Sequence, residues 1–308
     1  MSAVPGHHLP PAPQPALPPP APALRAPAPP PPLLLALPLT LLLYTLLLLL
    51  GLGSLLWNLL ALPLWLLLPA GAGRRVGRAG IAYGYRLFWA IARGCGMLRL
   101  EAQVLDALRD EPNLIIVANH PSLLDAVMLV ARLPRSMCIM KASLVRNVFL
   151  GGGARLARYV ANDSPKAMIR RTVRDLQHGS QLVLFPEGTR TTRAPVNPFR
   201  PGVTLIAKLA DAPIQTVFID TCSPYLGKGW PLWRLPPLPI EFRVRLGRRF
   251  APQADSHALL HELETYFAAG LSPAPVPIPA PTPALTPAPA PVVPGPASAR
   301  PDTPAPRA

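Results

Sequence analysis

The longest uncharged stretch of this chain constrains its fold more than any other feature. No Asp, Glu, Lys or Arg occurs between Arg25 and Arg74, and residues 33–70 within that gap are almost wholly apolar and dominated by leucine. A helix needs ~20 apolar residues to cross a bilayer, so this run is long enough for two passes. We therefore predict a membrane-embedded helical segment over residues 33–73.

Two arrangements of this segment remain open from its sequence. Gly51, Gly53 and Ser54 lie at its middle, where a turn can form, and Pro63 can kink its second half. One arrangement is a single span followed by a buried or interfacial helix. The other is a helical hairpin that enters one leaflet and returns. A cleaved signal peptide fits poorly, because the run is too long and no charged region immediately precedes it.

The basic residues on either side of the apolar run predict its orientation. Only Arg25 precedes the run closely, whereas five arginines follow it: Arg74, Arg75, Arg78, Arg86 and Arg93. The positive-inside rule then places the following domain in the cytoplasm, on the cell inner (cytoplasmic) membrane. The same arginines are candidates for holding anionic lipid headgroups.

Proline and charge separate the rest of the chain into parts. Of the 46 prolines, 14 lie in residues 1–32 and 14 in residues 272–308, so we predict disordered Pro/Ala-rich tails over residues 1–32 and 271–308. The folded domain is then residues 74–270. The net charge of +15 suits an anionic partner. Membrane lipid or a phosphorylated substrate fits better than nucleic acid, because no nucleic-acid motif occurs.

Within the folded domain, apolar strand-like runs alternate with helical patterns. This alternation predicts an α/β fold with a mixed, partly parallel sheet flanked by helices and preceded by the N-terminal membrane helices. In such sheets, ligand sites gather at the carboxyl ends of the strands. The predicted strands are residues 114–118, 137–140, 159–161, 182–185 and 214–219, with 240–246 as an edge or half-exposed strand. The predicted helices are residues 83–98, 121–132, 144–156 in parts, 165–178, 202–210 and 257–268.

The first candidate site is the sequence NHPSLLD at residues 119–125, directly after a predicted strand. His120 precedes a proline and is therefore expected outside the following helix, while Asp125 lies one turn inside it. The two side chains can then converge, and Asp125 can orient the imidazole so that its other nitrogen acts as a base. A helix-capping pair is the simpler alternative for one such pair in isolation. Ser122 is expected in a cap or turn role, with a ligand contact as the alternative.

The second candidate site is the sequence FPEGTR at residues 185–190, also directly after a predicted strand. Gly188 allows close approach of a ligand, while Thr189 and Arg190 present a hydroxyl and a guanidinium suited to phosphate. Glu187 is expected either to position a ligand hydroxyl or to pair with Arg190. No suitably spaced ligands accompany either motif, so we expect no metal site.

These two motifs resemble blocks of the glycerolipid acyltransferase family, whose members include 1-acyl-sn-glycerol-3-phosphate and other lysophospholipid acyltransferases. Residues 119–125 match its NHxSxxD block, residues 185–190 match FPEGTR in full, and residues 212–217 look like its Pro-Ile block. The resemblance covers about residues 80–250. It implies that residues 74–270 form an acyltransferase domain.

The resemblance also implies a mechanism. His120, oriented by Asp125, would remove the proton of an acceptor hydroxyl, which attacks the thioester of acyl-CoA or acyl-carrier protein. Glu187, Gly188, Thr189 and Arg190 would bind the acceptor, and no cofactor beyond the acyl donor is implied. The expected partners are membrane lipids, a lysophospholipid acceptor and the acyl donor.

One stretch departs from the family pattern. Asn162 and Asp163 occupy the place where the family usually has an arginine that helps to bind glycerol phosphate, and an aspartate there would repel phosphate. Either a neighbouring basic residue compensates or the acceptor is another lysolipid, an aminoacyl lipid or a glycolipid. A non-catalytic, membrane-anchored lipid-binding protein is the alternative of another class. The candidate compensating residues are Lys141, Arg155, Arg158 and Lys166.

Overall fold

The computed structural model describes residues 31–271, so most of both predicted tails lies outside the described residues. Seven strands form one sheet: β1 (Leu98–Glu101), β2 (Leu114–Ala118), β3 (Ser136–Met140), β4 (Val160–Ala161), β5 (Gln181–Leu184), β6 (Ile214–Asp220) and β7 (Ile240–Phe250). Their order is β1-β7-β6-β2-β5-β3-β4. The five strands from β6 to β4 are mutually parallel, whereas β7 runs antiparallel to β6 and β1 runs parallel to β7. The predicted mixed sheet is confirmed.

Helices cover both faces of this sheet. Strand β2 shows why: its five residues are all buried, with Leu114, Ile116 and Ala118 in one hydrophobic cluster and Ile115 and Val117 in the other. A strand buried on both faces reads as an unbroken apolar run, as it does here. The helices are α1 (Leu33–Leu67), α2 (Ala70–Gly94), α3 (Asp125–Arg132), α4 (Ala142–Val145), α5 (Gly151–Leu156), α6 (Pro165–Gln177), α7 (Gly202–Ala210) and α8 (Ser256–Leu271), with a 3-10 helix at Gln103–Leu108.

The apolar run forms one continuous helix, α1, and no turn occurs at Gly51. The chain breaks instead at Leu68 and Pro69, where it enters α2. Trp57 of α1 packs on Gly80 of α2, so α2 runs back along the second half of α1. Within residues 31–271, α1 is the one helix long and apolar enough to cross a membrane.

Helix α1 is attached to the domain along much of its length. Leu43 and Leu46 are buried in the same hydrophobic cluster as Trp89 of α2. Farther along α1, the Asn58 side chain donates to the Phe149 carbonyl and accepts from the Gly153 amide at 2.8 Å. The remaining surface of α1 exposes a large set of leucines. The helix therefore lies along the domain with an apolar face open to its surroundings.

The arginines that follow α1 do not form the uniform headgroup surface that the sequence suggested. Arg78 is buried and donates to the Ala157 and Arg135 carbonyls at 3.1 and 3.0 Å, and it pairs with Asp175. Arg74 pairs with the same Asp175 at 3.2 Å. Burial is the largest influence on Arg78 and lowers its pKa. These two arginines tie α2 to the domain, whereas Arg75 and Arg93 are exposed.

Three predicted elements need correction. Strand β1 falls partly in the region predicted as helix, because α2 ends at Gly94 and the chain turns before Leu98. Pairing with β1 on its other side makes β7 an interior strand and not an edge, although it is half-exposed as predicted. Helix α3 begins at Asp125 rather than Pro121, since residues 121–124 form turns. Helix α6 begins at Pro165 as predicted.

Candidate active site

The first motif leaves the carboxyl end of β2 and brings His120 and Asp125 together. His120 Nδ1 lies 3.0 Å from Asp125 Oδ2. An ionised carboxylate can only accept hydrogen bonds, so Nδ1 carries the proton and Nε2 is left as an acceptor. The side chain of His120 is 15% exposed and that of Asp125 is fully buried. The base is therefore open to a ligand, while its orienting group is sealed from water.

Asp125 holds the turn as well as the imidazole. Its Oδ2 also accepts from the Ser122 amide at 2.7 Å, and this contact fixes the turn that precedes α3. Its Oδ1 is buried and has no partner within residues 31–271. Burial raises the pKa of Asp125 to about 6, and the hydrogen bond from His120 opposes that rise. The position of Asp125 at the first residue of the helix also favours a negative charge.

The second motif is joined directly to the first through Glu187. This side chain is 3% exposed, and its Oε1 accepts from the His120 amide at 3.0 Å and from the Thr191 hydroxyl at 2.7 Å. Its Oε2 accepts from the Asn197 amide at 2.9 Å. The Thr191 amide donates back to the His120 carbonyl at 2.7 Å. Both oxygens of Glu187 thus hold the two motifs together, and among the described residues it makes no ion pair with Arg190.

Phe185 holds the imidazole ring of His120 in its plane. It lies just after β5 and stacks on the His120 imidazole, with ring centroids 4.1 Å apart and planes 19° apart. Gly188 follows in the loop with φ of +68°, and a Cβ there would lie 2.3 Å from Arg200 Nε. Only glycine fits both this backbone conformation and this contact. The tight loop therefore keeps Phe185 and Glu187 against His120.

The other predicted binding residues divide into two groups. Arg190 Nη1 donates to the Leu226 and Gly227 carbonyls at 2.8 and 3.0 Å. Its Nε and Nη2 have no partner among the described residues and remain able to meet a phosphate, and Thr189 is exposed beside it. Ser122, in contrast, is buried, and its hydroxyl donates to the Tyr225 carbonyl at 3.0 Å. Ser122 therefore has the turn role expected of it.

Two asparagines shape the site without having been singled out from sequence. Asn119 exchanges hydrogen bonds with the backbone of Ile219 at 2.9 and 2.8 Å, which extends the β2–β6 pairing by one side chain. Asn197 Oδ1 accepts from the Thr192 and Arg193 amides at 3.2 Å, and its Nδ2 donates to the Arg190 carbonyl at 3.2 Å. In the sequence, Asn119 is visible only as a polar residue after a buried strand, and Asn197 only as one of several polar residues in a long loop.

Asn162 and Asp163, the two residues that differ from the family pattern, are exposed in the turn between β4 and α6. This turn lies at the same carboxyl edge of the sheet as the two motifs. Asn162 Oδ1 accepts from the Ala142 amide at 3.1 Å, and the Asn162 amide donates to Met140 at 3.0 Å. Lys141 stands between these two partners and is therefore next to the turn. Arg158 precedes β4, and Arg155 lies on α5. Neither follows the carboxyl end of a strand, as Lys141 does after β3.

Comparison with known proteins finds similarity over the part of the chain that contains both motifs. Residues 99–220 match the family model described as Acyltransferase. Human 1-acyl-sn-glycerol-3-phosphate acyltransferase beta is 28% identical over 135 residues, which is 42% of this chain and 49% of that protein. A putative 1-acyl-sn-glycerol-3-phosphate acyltransferase, acl-1, of Caenorhabditis elegans is 28% identical over 140 residues, 42% of this chain and 52% of that protein. The chain thus matches about half the length of these curated relatives.

A solved structure shares the fold. The 1-acyl-sn-glycerophosphate (LPA) acyltransferase PlsC of Thermotoga maritima superposes with a TM-score of 0.59 at 20% identity, covering 76% of this chain and 94% of that one. The matched family model includes both β2 with the His120–Asp125 pair and β5 with the Phe185–Arg190 loop. Residues 99–220 are thus similar in sequence to acyltransferases, and the chain shares its fold with one solved member of that class.

Proposed function

We propose that this protein is a membrane-bound O-acyltransferase that uses His120 as general base. The observation that carries the proposal is the contact of 3.0 Å between His120 Nδ1 and the buried Asp125, which leaves Nε2 free at the ligand-accessible edge of the sheet. Nε2 takes the proton of an acceptor hydroxyl, the oxygen attacks the thioester carbonyl, and the carbon–sulfur bond breaks. The imidazolium then protonates the thiolate that leaves. General-base assistance of this kind contributes ~10²–10⁴-fold to a rate.

Replacement of the base tests this assignment. We expect His120→Ala to reduce acyl transfer by at least ~10²-fold while the protein stays folded, because the side chain is at the surface of the site. His257→Ala is a matched control, since His257 is exposed on α8. The measurement is acyl-CoA consumption by purified membranes with a lysophospholipid acceptor, alongside thermal unfolding. Near-normal turnover of His120→Ala would favour the non-catalytic lipid-binding alternative.

The acceptor that we propose is 1-acyl-sn-glycerol-3-phosphate, which acylation converts to phosphatidic acid. The free Nε and Nη2 of Arg190 and the exposed Thr189 suit its phosphate, and the curated relatives carry this substrate in their names. The proposed donor is acyl-CoA or acyl-carrier protein. No cofactor beyond this donor is required by the reaction.

Asp163 supports a second candidate, the same chemistry on another lysolipid, an aminoacyl lipid or a glycolipid. An acceptor panel with the Lys141→Gln variant separates the two. If Lys141 compensates for the missing arginine, this variant raises KM for phosphate-bearing acceptors about tenfold and leaves kcat nearly unchanged. Arg158→Gln is the control on the far side of β4. A preference for acceptors without phosphate, with no effect of Lys141→Gln, would contradict the first acceptor and favour the second.

We also propose that the protein lies on the inner membrane with its domain in the cytoplasm. Membrane association is supported by the exposed apolar face of α1 and by the membrane-compatible length of that helix. Because α1 packs on the domain from Leu43 to Ala61, we propose that this face enters a single leaflet with the domain beside it. Protease treatment of inside-out and right-side-out vesicles checks the orientation. Cleavage of the domain only in right-side-out vesicles would contradict a cytoplasmic location.

A further inference from the structure

A second concave site lies between α2, the 3-10 helix and α3. Its volume is about 320 Å³, within the range of roughly 300–1,000 Å³ that is usual for small-molecule sites. No residue of the two motifs lines it, and it touches α3 near the end opposite Asp125, about 10 Å away along the helix axis. Its polar lining consists of four arginines and one carboxylate: Arg86, Arg93, Arg109, Arg132 and Asp106.

The charges of this cavity are only partly balanced by the protein. Arg132 pairs with Asp106 at 2.7 Å, and Arg86 Nε donates to the Ala131 carbonyl at 2.6 Å. Arg93 and Arg109 are exposed at the rim and have no hydrogen-bond or ion-pair partner within the described part of the chain. The four guanidinium groups thus face one carboxylate. Burial and then the charges of Arg109 and Arg132 lower the pKa of Arg86, and the charge of Asp106 opposes them only in part.

The wall of the cavity that lies beside the arginines is largely apolar. Trp89 is 6% exposed and lines the cavity, and its indole Nε1 is buried without a partner among residues 31–271. Leu100 and Met128 complete the apolar part of the lining. The cavity therefore combines excess positive charge with an apolar wall that has room for carbon atoms.

We propose that this cavity binds a phosphate-bearing ligand at a site separate from the acyl-transfer centre. Arginine guanidinium groups bind phosphate oxygens in bidentate geometry, and the apolar wall suits the organic part attached to the phosphate. On the same helix, Tyr83, Leu87 and Ile91 form an exposed apolar row with the four-residue spacing of one helix face. The phosphate can therefore come from an anionic lipid headgroup at the membrane or from a soluble phosphate compound.

The test is binding by the full-length, detergent-solubilised protein, measured by isothermal titration calorimetry at low ionic strength. One arm uses short-chain phosphatidylglycerol below its micelle concentration, and the other uses inorganic phosphate. We expect the double variant Arg93→Gln, Arg109→Gln to weaken binding at least about tenfold. Arg75→Gln, an exposed position on the same helix, is the matched charge control.

The outcomes separate the ligand sources and can overturn the site. Tight binding of phosphatidylglycerol that depends on Arg93 and Arg109 supports a lipid source, and equally dependent binding of inorganic phosphate supports a soluble one. Absence of binding in both arms overturns the proposal. It is also overturned if Arg75→Gln weakens binding as much as the double variant, because the effect would then be general electrostatic attraction. Acyl transfer is not the readout, so a failure of the proposed reaction leaves this test unaffected.

Discussion

At the scale of single residues, the site depends on a carboxylate whose charged form is destabilised by burial. Asp125 is fully buried, has one oxygen without a partner among residues 31–271, and has its pKa raised to about 6 by that burial. A hydrogen bond from His120 and one from the Ser122 amide stabilise its charged form. The protein thus accepts a destabilising group where the imidazole needs a fixed acceptor.

The titration of Asp125 predicts how activity and stability change with pH. Because its pKa is raised above 3.8, the folded state binds this proton more tightly than the unfolded state between about pH 4 and pH 6. Ionised Asp125 therefore lowers the free energy of unfolding progressively as pH rises through that window, and the full loss is present above it. Conversely, as pH falls through about 6, the carboxylate is neutralised and kcat should fall with it.

Asp125→Asn separates these two effects. At pH 7.5 we expect the variant to lose ~10²–10⁴-fold in kcat, because an amide can hold the imidazole in the wrong tautomer. Its Tm should equal or exceed that of the parent, since the buried charge is gone, and the difference should disappear below about pH 4. The checks are a pH–rate profile and thermal unfolding across the same pH range. A strongly destabilised variant at pH 7.5 would mean that the charged Asp125 stabilises the fold.

Glu187 offers a second residue-scale prediction that distinguishes positioning from ligand binding. In Glu187→Gln the amide nitrogen replaces an oxygen that accepts from the protein, so His120 or Asn197 loses its partner. We expect kcat to fall about tenfold or more, with little change in KM for the acceptor. Glu264→Gln is the control, because Glu264 accepts from the Phe199 amide outside the site. A higher KM at unchanged kcat would instead support the ligand contact first expected from the motif.

At the scale of elements, helix α1 has two faces with different tasks. One face buries Leu43, Leu46 and Ala61 against the domain, and Asn58 fixes it to the chain before α5. An amide inside an otherwise apolar helix is costly unless it is hydrogen-bonded, so Asn58 specifies where the helix lies on the domain. The opposite face is left without a protein partner among the described residues, and a lipid bilayer is the solvent that suits it.

Polar substitutions on the exposed face of α1 test its membrane role. Leu52, Leu56 and Leu59 are 54%, 59% and 63% exposed. Replacing all three with Gln should shift the protein from sedimented membranes into the soluble fraction, because each leucine contributes ~1.5–3 kcal/mol when fully buried in an apolar phase. Its Tm in detergent should change little. Leu46→Ala is the matched control: it should lower Tm but leave the protein on the membrane. Membrane retention of the triple variant would contradict docking through this face.

At the scale of the whole molecule, the sheet explains why two distant motifs make one site. Strands β2 and β5 are parallel neighbours, with Val117 paired to Leu184. The chain therefore leaves both strands at the same edge and at the same level, and His120 meets Phe185 and Glu187 directly. The proposed phosphate cavity lies at the other end of α3, so acyl transfer and anion binding would share that helix while using separate surfaces.

The sequence by itself determined the elements whose signal is local. Neighbouring residues alone predict the apolar helix, strands β2 and β5, and the approach of His120 to Asp125. Strands buried on both faces are unbroken apolar runs, and the proline after His120 keeps that residue outside the helix that carries Asp125. The same local logic placed the candidate site at the carboxyl edge of the sheet. It also directed attention to Arg190 and to the departure at Asn162 and Asp163.

The tertiary structure decided what depends on long-range partners. Only the folded chain turns Glu187 from a candidate ligand into the link between the motifs, because its partners His120 and Asn197 come from separate segments. Strand β1 is too short to show a pattern, and its existence depends on pairing with β7. The bend of the apolar region at Leu68, the burial of Arg78 and the four-arginine cavity likewise come from packing between helices, to which local residue order contributes no signal.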